Sequence, residues 1–170
     1  MIKKTLLGLM AMAGLLASAA VQATIIPWSA ALNGAQEVPA SGSLGTGSAF
    51  GTIDDASGAL AWNITFSGLS GPLTGIHFHG PAAPGVNAGV RVNIGNISGF
   101  LSPNSGSAII TAQEVTDLLA GSWYINLHTA QHPGGEIRGQ VIPEAVPEPA
   151  MLGLLGLALA GLAASRRRKL

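Results

Sequence analysis

Three histidines carry most of the chemistry this sequence offers. Ile76-His77-Phe78-His79-Gly80 puts two imidazoles two residues apart, and His128 lies near the end of Trp123-Tyr124-Ile125-Asn126-Leu127-His128-Thr129. Successive side chains of a strand point to opposite faces. His77 and His79 therefore share the face opposite Ile76 and Phe78, and His128 lies opposite Ile125 and Leu127. Neutral imidazole is a common ligand of copper and zinc, so His77, His79 and His128 are candidate metal ligands. The same rings can equally belong to a polar hydrogen-bonded cluster, because half-buried polar groups need partners. His132, in the turn Gln131-His132-Pro133-Gly134-Gly135, is the weaker candidate. Other chemistry is missing: there is no Cys nucleophile, no Gly-x-Ser-x-Gly elbow and no phosphate loop.

The elements that must position these residues are short and divided by turn signals. Gly, Ser, Thr, Asn and Val dominate the middle of the chain, which predicts an all-β sandwich or barrel. Ala59 to Phe66 alternates most clearly, with Leu60, Trp62, Ile64 and Phe66 on one face. Val90, Val92 and Ile94 alternate with Arg91 and Asn93, and in the last strand Ile137 and Val141 alternate with Glu136, Arg138 and Gln140. One helix is expected in the domain, over about 112–120: Thr111 and Glu114 have the spacing of a capping box, and Gly121 suits the C-terminal end. If the strands neighbour one another, Asn126, Glu136, Arg138 and Gln140 form a polar network around the imidazoles. In that arrangement the histidines bond Glu136, Asn126 or backbone and hold the sheet together.

Both ends of the 170-residue chain read as targeting segments. Lys3 and Lys4 precede the apolar run Leu6–Ala20, and Val21-Gln22-Ala23 closes it, so 1–23 is expected to be a signal peptide cleaved after Ala23 and handled by the Sec export machinery. The other end, 146–170, contains Pro147-Glu148-Pro149, an apolar stretch from Ala150 to Ala164, and a basic tail with Arg166, Arg167 and Arg168. About 15 helical residues reach roughly 22 Å, short of the roughly 30 Å hydrocarbon core, so the expected transmembrane helix is a marginal one. Its basic tail would remain on the cytoplasmic side. Hydrophobic helices are thus expected at both termini, flanking one domain at 24–145.

That domain carries seven carboxylates against only Arg91 and Arg138. Such an acidic surface has no electrostatic footprint for nucleic acid. With no cysteine in an exported chain, disulfides contribute nothing and stability must come from the core.

Two resemblances follow from these motifs. The tail resembles the PEP-CTERM sorting signal of exopolysaccharide-producing Gram-negative bacteria, which implies processing by an exosortase. The stretches Leu32–Pro39, Gly75–Pro81, Trp123–Thr129 and His132–Val141 together look like the CHRD (chordin-type) domain over about residues 28–142. That resemblance implies an immunoglobulin-like Greek-key β-sandwich, distantly similar to copper/zinc superoxide dismutase. Those dismutases also use a His-x-His strand and a later His on the outer barrel face. The loop 80–89 departs from their pattern: it offers no bridging His and no zinc-binding cluster, and there is no disulfide. The expected role is therefore non-enzymatic, as a structural or interaction module with no cofactor. Its expected course is tethering at the inner membrane through the C-terminal helix, then release to the cell envelope or extracellular matrix, where exopolysaccharide or matrix components would be its partners. The alternative is a domain that binds copper or zinc, with dismutase-like oxidoreductase activity as its extreme form.

Overall fold

The computed structural model describes residues 23–145. The expected signal peptide and sorting helix lie outside the described residues. No helix among the described residues is long and apolar enough to cross a membrane.

The described residues form nine strands, β1 (Ile25–Asn33), β2 (Thr46–Asp54), β3 (Ala59–Ser67), β4 (Leu73–His79), β5 (Val90–Asn93), β6 (Asn104–Ile109), β7 (Tyr124–Thr129), β8 (Ile137–Gln140) and β9 (Ile142–Pro143). Two helices join them, α1 (Ile94–Ser98) and α2 (Ala112–Leu119), with a 3-10 turn at Gly34–Gln36. All pairings are antiparallel, in the order β5-β4-β7-β8-β1-β2-β3-β6, with β9 on β1. β1 meets β8 through a single pair, Asn33 with Arg138. At that corner the sheet folds over, so that β5-β4-β7-β8 faces β1-β2-β3-β6 across a common core. This is the expected all-β, sandwich-like fold.

The apolar face of each strand fills that core. Phe78 is fully buried and meets Trp28, Trp62 and Trp123 with ring centroids 5.7, 5.7 and 6.0 Å apart. The contacts with Trp28 and Trp62 are edge-on, a geometry the ring quadrupoles favour. Ile76 on the same strand and Ile125 and Leu127 on β7 are equally buried. Such a cluster is what a cysteine-free domain needs; truncating one of these aromatics would cost about 3–5 kcal/mol.

The helix expected at 112–120 is α2, and its capping box is complete. Thr111 Oγ1 accepts from the Glu114 amide at 3.3 Å, and Glu114 accepts from the Thr111 amide at 2.9 Å. Other local expectations need correction. Ile94 does not continue β5 but opens α1, because Asn93 caps that turn by accepting from the Asn96 amide at 3.0 Å. This helix is a second one where the sequence predicts a single helix in the domain. Asn33 caps the 3-10 turn, and the chain travels through 37–45 before β2 returns in register with β1.

Candidate functional site

β4 and β7 are neighbours, and their registered pairs bring the chemistry together. His77 stands opposite Asn126, His79 opposite Tyr124 and Gly75 opposite His128. Because Gly75 has no side chain, the His77 and His128 rings close over it to a centroid distance of 5.1 Å. His79 completes the group, 5.5 Å from His77 and 6.0 Å from His128. One nitrogen from each ring lies within 4.8 Å of the other two.

The hydrogen bonds decide which nitrogens of His79 and His128 keep a lone pair. His79 Nδ1 lies 2.9 Å from the Ala88 carbonyl and His128 Nδ1 lies 3.0 Å from the Pro133 carbonyl. A carbonyl can only accept, so both Nδ1 atoms carry the proton and both Nε2 atoms expose a lone pair. Those Nε2 atoms, together with His77 Nδ1, are buried and have no hydrogen-bond partner. Burial, reinforced by repulsion from His128 and His79, pushes the pKa of His77 down to about 4. Burial also lowers His79 and His128, against the bonds to Ala88 and Pro133 that work the other way. The site holds three neutral imidazoles at neutral pH. Carbonyl partners that fix the tautomer are the usual outer support of a metal-binding histidine.

The other polar residues do not bond the histidines. Glu136 precedes β8 in an irregular segment, where strand alternation no longer governs direction, and its carboxylate turns away from the imidazoles. It accepts from the Ser70 amide at 2.6 Å, Ser70 Oγ at 2.7 Å, Thr129 Oγ1 at 2.6 Å and Ser43 Oγ at 2.8 Å. Burial pushes its pKa up, but the bonds from Ser70, Thr129 and Ser43 outweigh it and leave it at about 2. Glu136, Arg138 and Gln140 are also not solvent-facing: they are 0%, 1% and 8% exposed. Loop 80–89 and segment 34–41 cover the polar face that periodicity alone leaves open.

Arg138 anchors that cover. It donates to the Val86 carbonyl at 2.8 Å and to Asn87 Oδ1 at 3.1 Å, and its guanidinium carbon lies 3.4 Å from the centre of the Tyr124 ring. Tyr124 in turn stacks on His79, with centroids 5.0 Å apart and planes 6° from parallel. Its hydroxyl accepts from the Ala88 amide at 3.0 Å. Gln140 donates to the Ala82 and Gly121 carbonyls at 3.1 and 2.8 Å. Of the remaining polar-face residues, Arg91 donates through Nε to the Gly80 carbonyl, and His132 stays in its turn, outside the three-ring group.

Three participants escaped sequence reasoning. Glu37, 6% exposed, accepts from Asn126 Nδ2 at 3.3 Å through Oε2 while its Oε1 has no partner. Burial raises its pKa to about 7, against the opposing pull of Arg138 and the Asn126 bond. Gly135, at φ +134°, passes so close that any Cβ would lie 2.6 Å from the Asn126 amide and Glu37 Oε2. Gly75 and Glu37 both fall inside the stretches that carry the family resemblance, and that was the available signal.

Comparison with known proteins adds two matches. The PEP-CTERM protein-sorting motif matches residues 145–169, which marks an exported, membrane-processed protein sorted by an exosortase. No curated protein and no solved structure matches the chain. The CHRD domain model matches residues 28–141, spanning every strand of the site, and the chain belongs to the CHRD domain family.

Proposed function

We propose that this exported domain binds one transition metal ion, copper or zinc, through His77, His79 and His128. The observation that carries this reading is three histidine rings whose nitrogens come within 4.8 Å of one another, each ring with a buried nitrogen that has no partner and two of the rings oriented by backbone carbonyls. Leaving buried acceptors unpartnered costs about 1–3 kcal/mol each, a cost that a cation among them removes. Ligand nitrogens on one tetrahedral ion are about 3.3 Å apart, given metal–nitrogen bonds near 2.0–2.1 Å. Ring nitrogens that lie within 4.8 Å of one another therefore need draw together by up to about 1.5 Å. Three imidazoles leave a fourth position for water, and they suit copper or zinc rather than magnesium or calcium.

A second reading has its own support. The stack of Arg138, Tyr124 and His79 ties loop 80–89 to the sheet, as expected of a non-enzymatic structural or interaction module in the envelope or extracellular matrix. The two readings part on metal content. The purified exported protein is expected to carry or take up one equivalent of copper or zinc, lost in His77→Ala/His79→Ala. A folded wild-type protein that binds neither metal would leave the structural reading alone standing. Mass spectrometry of the mature chain tests release from the membrane, since an intact Arg166–Lys169 end is incompatible with exosortase cleavage.

A further inference from the structure

The two sheets differ in what covers them. Loop 80–89 and segment 34–41 bury polar residues on the outer side of β5-β4-β7-β8. On the outer side of β9-β1-β2-β3-β6, exposed or half-buried positions alternate with core positions along β1, β2, β3 and β6. Strand register lines up Ile142, Ser29, Phe50, Asn63 and Ser105 in one row across all five strands. Phe50 stands 60% exposed at the centre of that row, and Thr52 and Ala61 follow in the next. Ile25 and Ile109 project from the same side, and both are exposed. Apolar groups gathered on an open face rimmed by polar ones mark a site of association.

Charge, area and the position of the chain ends select the occupant. No charged residue lies in these rows. Asp54 and Glu144 stand at one end of the face, Asp54 opposite Ile25 and Glu144 bonded through its amide to the Pro27 carbonyl. Without a lysine or arginine, the face has nothing to hold an anionic polymer or lipid headgroup. The domain carries seven carboxylates against two arginines, so two copies approach closely only where both lack charge. At 3.4 Å per residue and 4.8 Å between strands, the five strands cover about 570 Å² in plan. Side-chain relief brings this toward the roughly 800 Å² per partner of a stable interface. β1 begins and β9 ends at the same end of the face. A two-fold axis along the strands therefore pairs two such faces while keeping both sorting segments on one side, as processing at one membrane requires. We propose that the outer side of β9-β1-β2-β3-β6 pairs with the same face of a second copy of this chain, Phe50 of each seated among the small side chains of the other.

The test is sedimentation velocity of the purified exported protein, with a chelator present so that the histidines cannot bridge copies through metal. A dimer is expected. Phe50→Glu, at an exposed position that leaves the core intact, should weaken association by at least roughly thirtyfold, the loss expected for a central aromatic anchor. Leu101→Glu, at an exposed position off this face, should leave the dimer unchanged, and circular dichroism checks that both variants fold. Thr52→Cys in this cysteine-free chain, treated with a short bismaleimide, should give a cross-linked dimer that Phe50→Glu suppresses. A wild-type protein that stays monomeric at every accessible concentration overturns the proposal, and so does a dimer that Phe50→Glu leaves intact. A monomer that binds uncharged phosphatidylcholine vesicles through Phe50 also overturns it, by giving the face to lipid.

Discussion

Gly75 stands directly opposite His128 on the neighbouring strand, and the side chain it lacks is the space in which the His77 and His128 rings meet. A Cβ at this position would lie 2.8 Å from His77 Cε1 and 3.3 Å from His128 Cδ2. Gly75→Ala should therefore spread the rings while leaving every ligand in place. Outer supports of metal sites are commonly worth about 10–100-fold in affinity, and a loss of that size is expected here. Metal competition titration measures it; unchanged affinity would mean that the rings do not close on a shared ion.

The titration of the site should show in stability. His77 is held near 4, so between about 4 and its ordinary 6.5 the unfolded chain binds more protons than the folded one. In that window metal-free stability rises with pH, and His79 and His128, lowered in the same direction, add to the slope. Glu37 works against them. Its pKa is raised from 4.5 to about 7, so the folded state holds the extra proton and stability falls as pH rises through that interval. Glu37→Gln should steepen the rise of stability between pH 4.5 and 6.5 and remove any decline near 7. Denaturant titrations of both proteins across that range would show it, and parallel curves would exclude the buried acid as the opposing group.

Glu136 is the group whose loss should hurt most. Four hydrogen bonds converge on its carboxylate from Ser43, Ser70 and Thr129, tying the 41–45 and 67–72 segments to the end of β7. Glu136→Gln keeps the shape but sets an amide NH₂ against donors, so a destabilisation of about 2–4 kcal/mol is expected. Its depressed pKa gives the acid side as well: the stabilisation is complete above about 4.5 and disappears as pH falls toward 2. Metal affinity at neutral pH should be unaltered, because this carboxylate bonds none of the three rings. Chemical denaturation and metal titration of one variant check both halves.

Arg138→Lys separates charge from geometry. Lysine keeps the cation but cannot reproduce the planar fork that serves Val86 and Asn87 while lying on Tyr124. Amide exchange at 86–88 should accelerate by at least roughly tenfold, with the core amides of β3 unchanged. Uniform acceleration throughout the domain would instead show that Arg138 supports the whole fold.

Much of this arrangement was legible in the sequence. Alternation placed Ile76 and Phe78 inside and His77 and His79 opposite them, because β4 is a regular strand and a two-residue period needs no tertiary knowledge. The capping box around Thr111 and Glu114 is equally local. Alternation failed at Glu136, which lies just outside β8, where the backbone is irregular. It also could not distinguish facing away from the core from facing water. Arg138 and Gln140 do point away from the core, yet loop 80–89 and segment 34–41 arrive from distant parts of the chain to bury them. The 4.8 Å convergence of three nitrogens depends on strand order and register, and neither follows from periodicity.

β9 lies against the start of β1, with Pro143 paired to Trp28 and the Glu144 amide bonded to the Pro27 carbonyl at 2.8 Å. The chain therefore enters and leaves the domain side by side, at the pole of β1 away from Asn33. Asn33 marks the level of Arg138, Asn126 and His77 across the sheet. From Trp28 to Asn33 is about 17 Å of strand at 3.3–3.4 Å per residue. A domain moored by its sorting segment would thus hold the imidazole face toward its free end. Removing the residues beyond 145 would leave it in place.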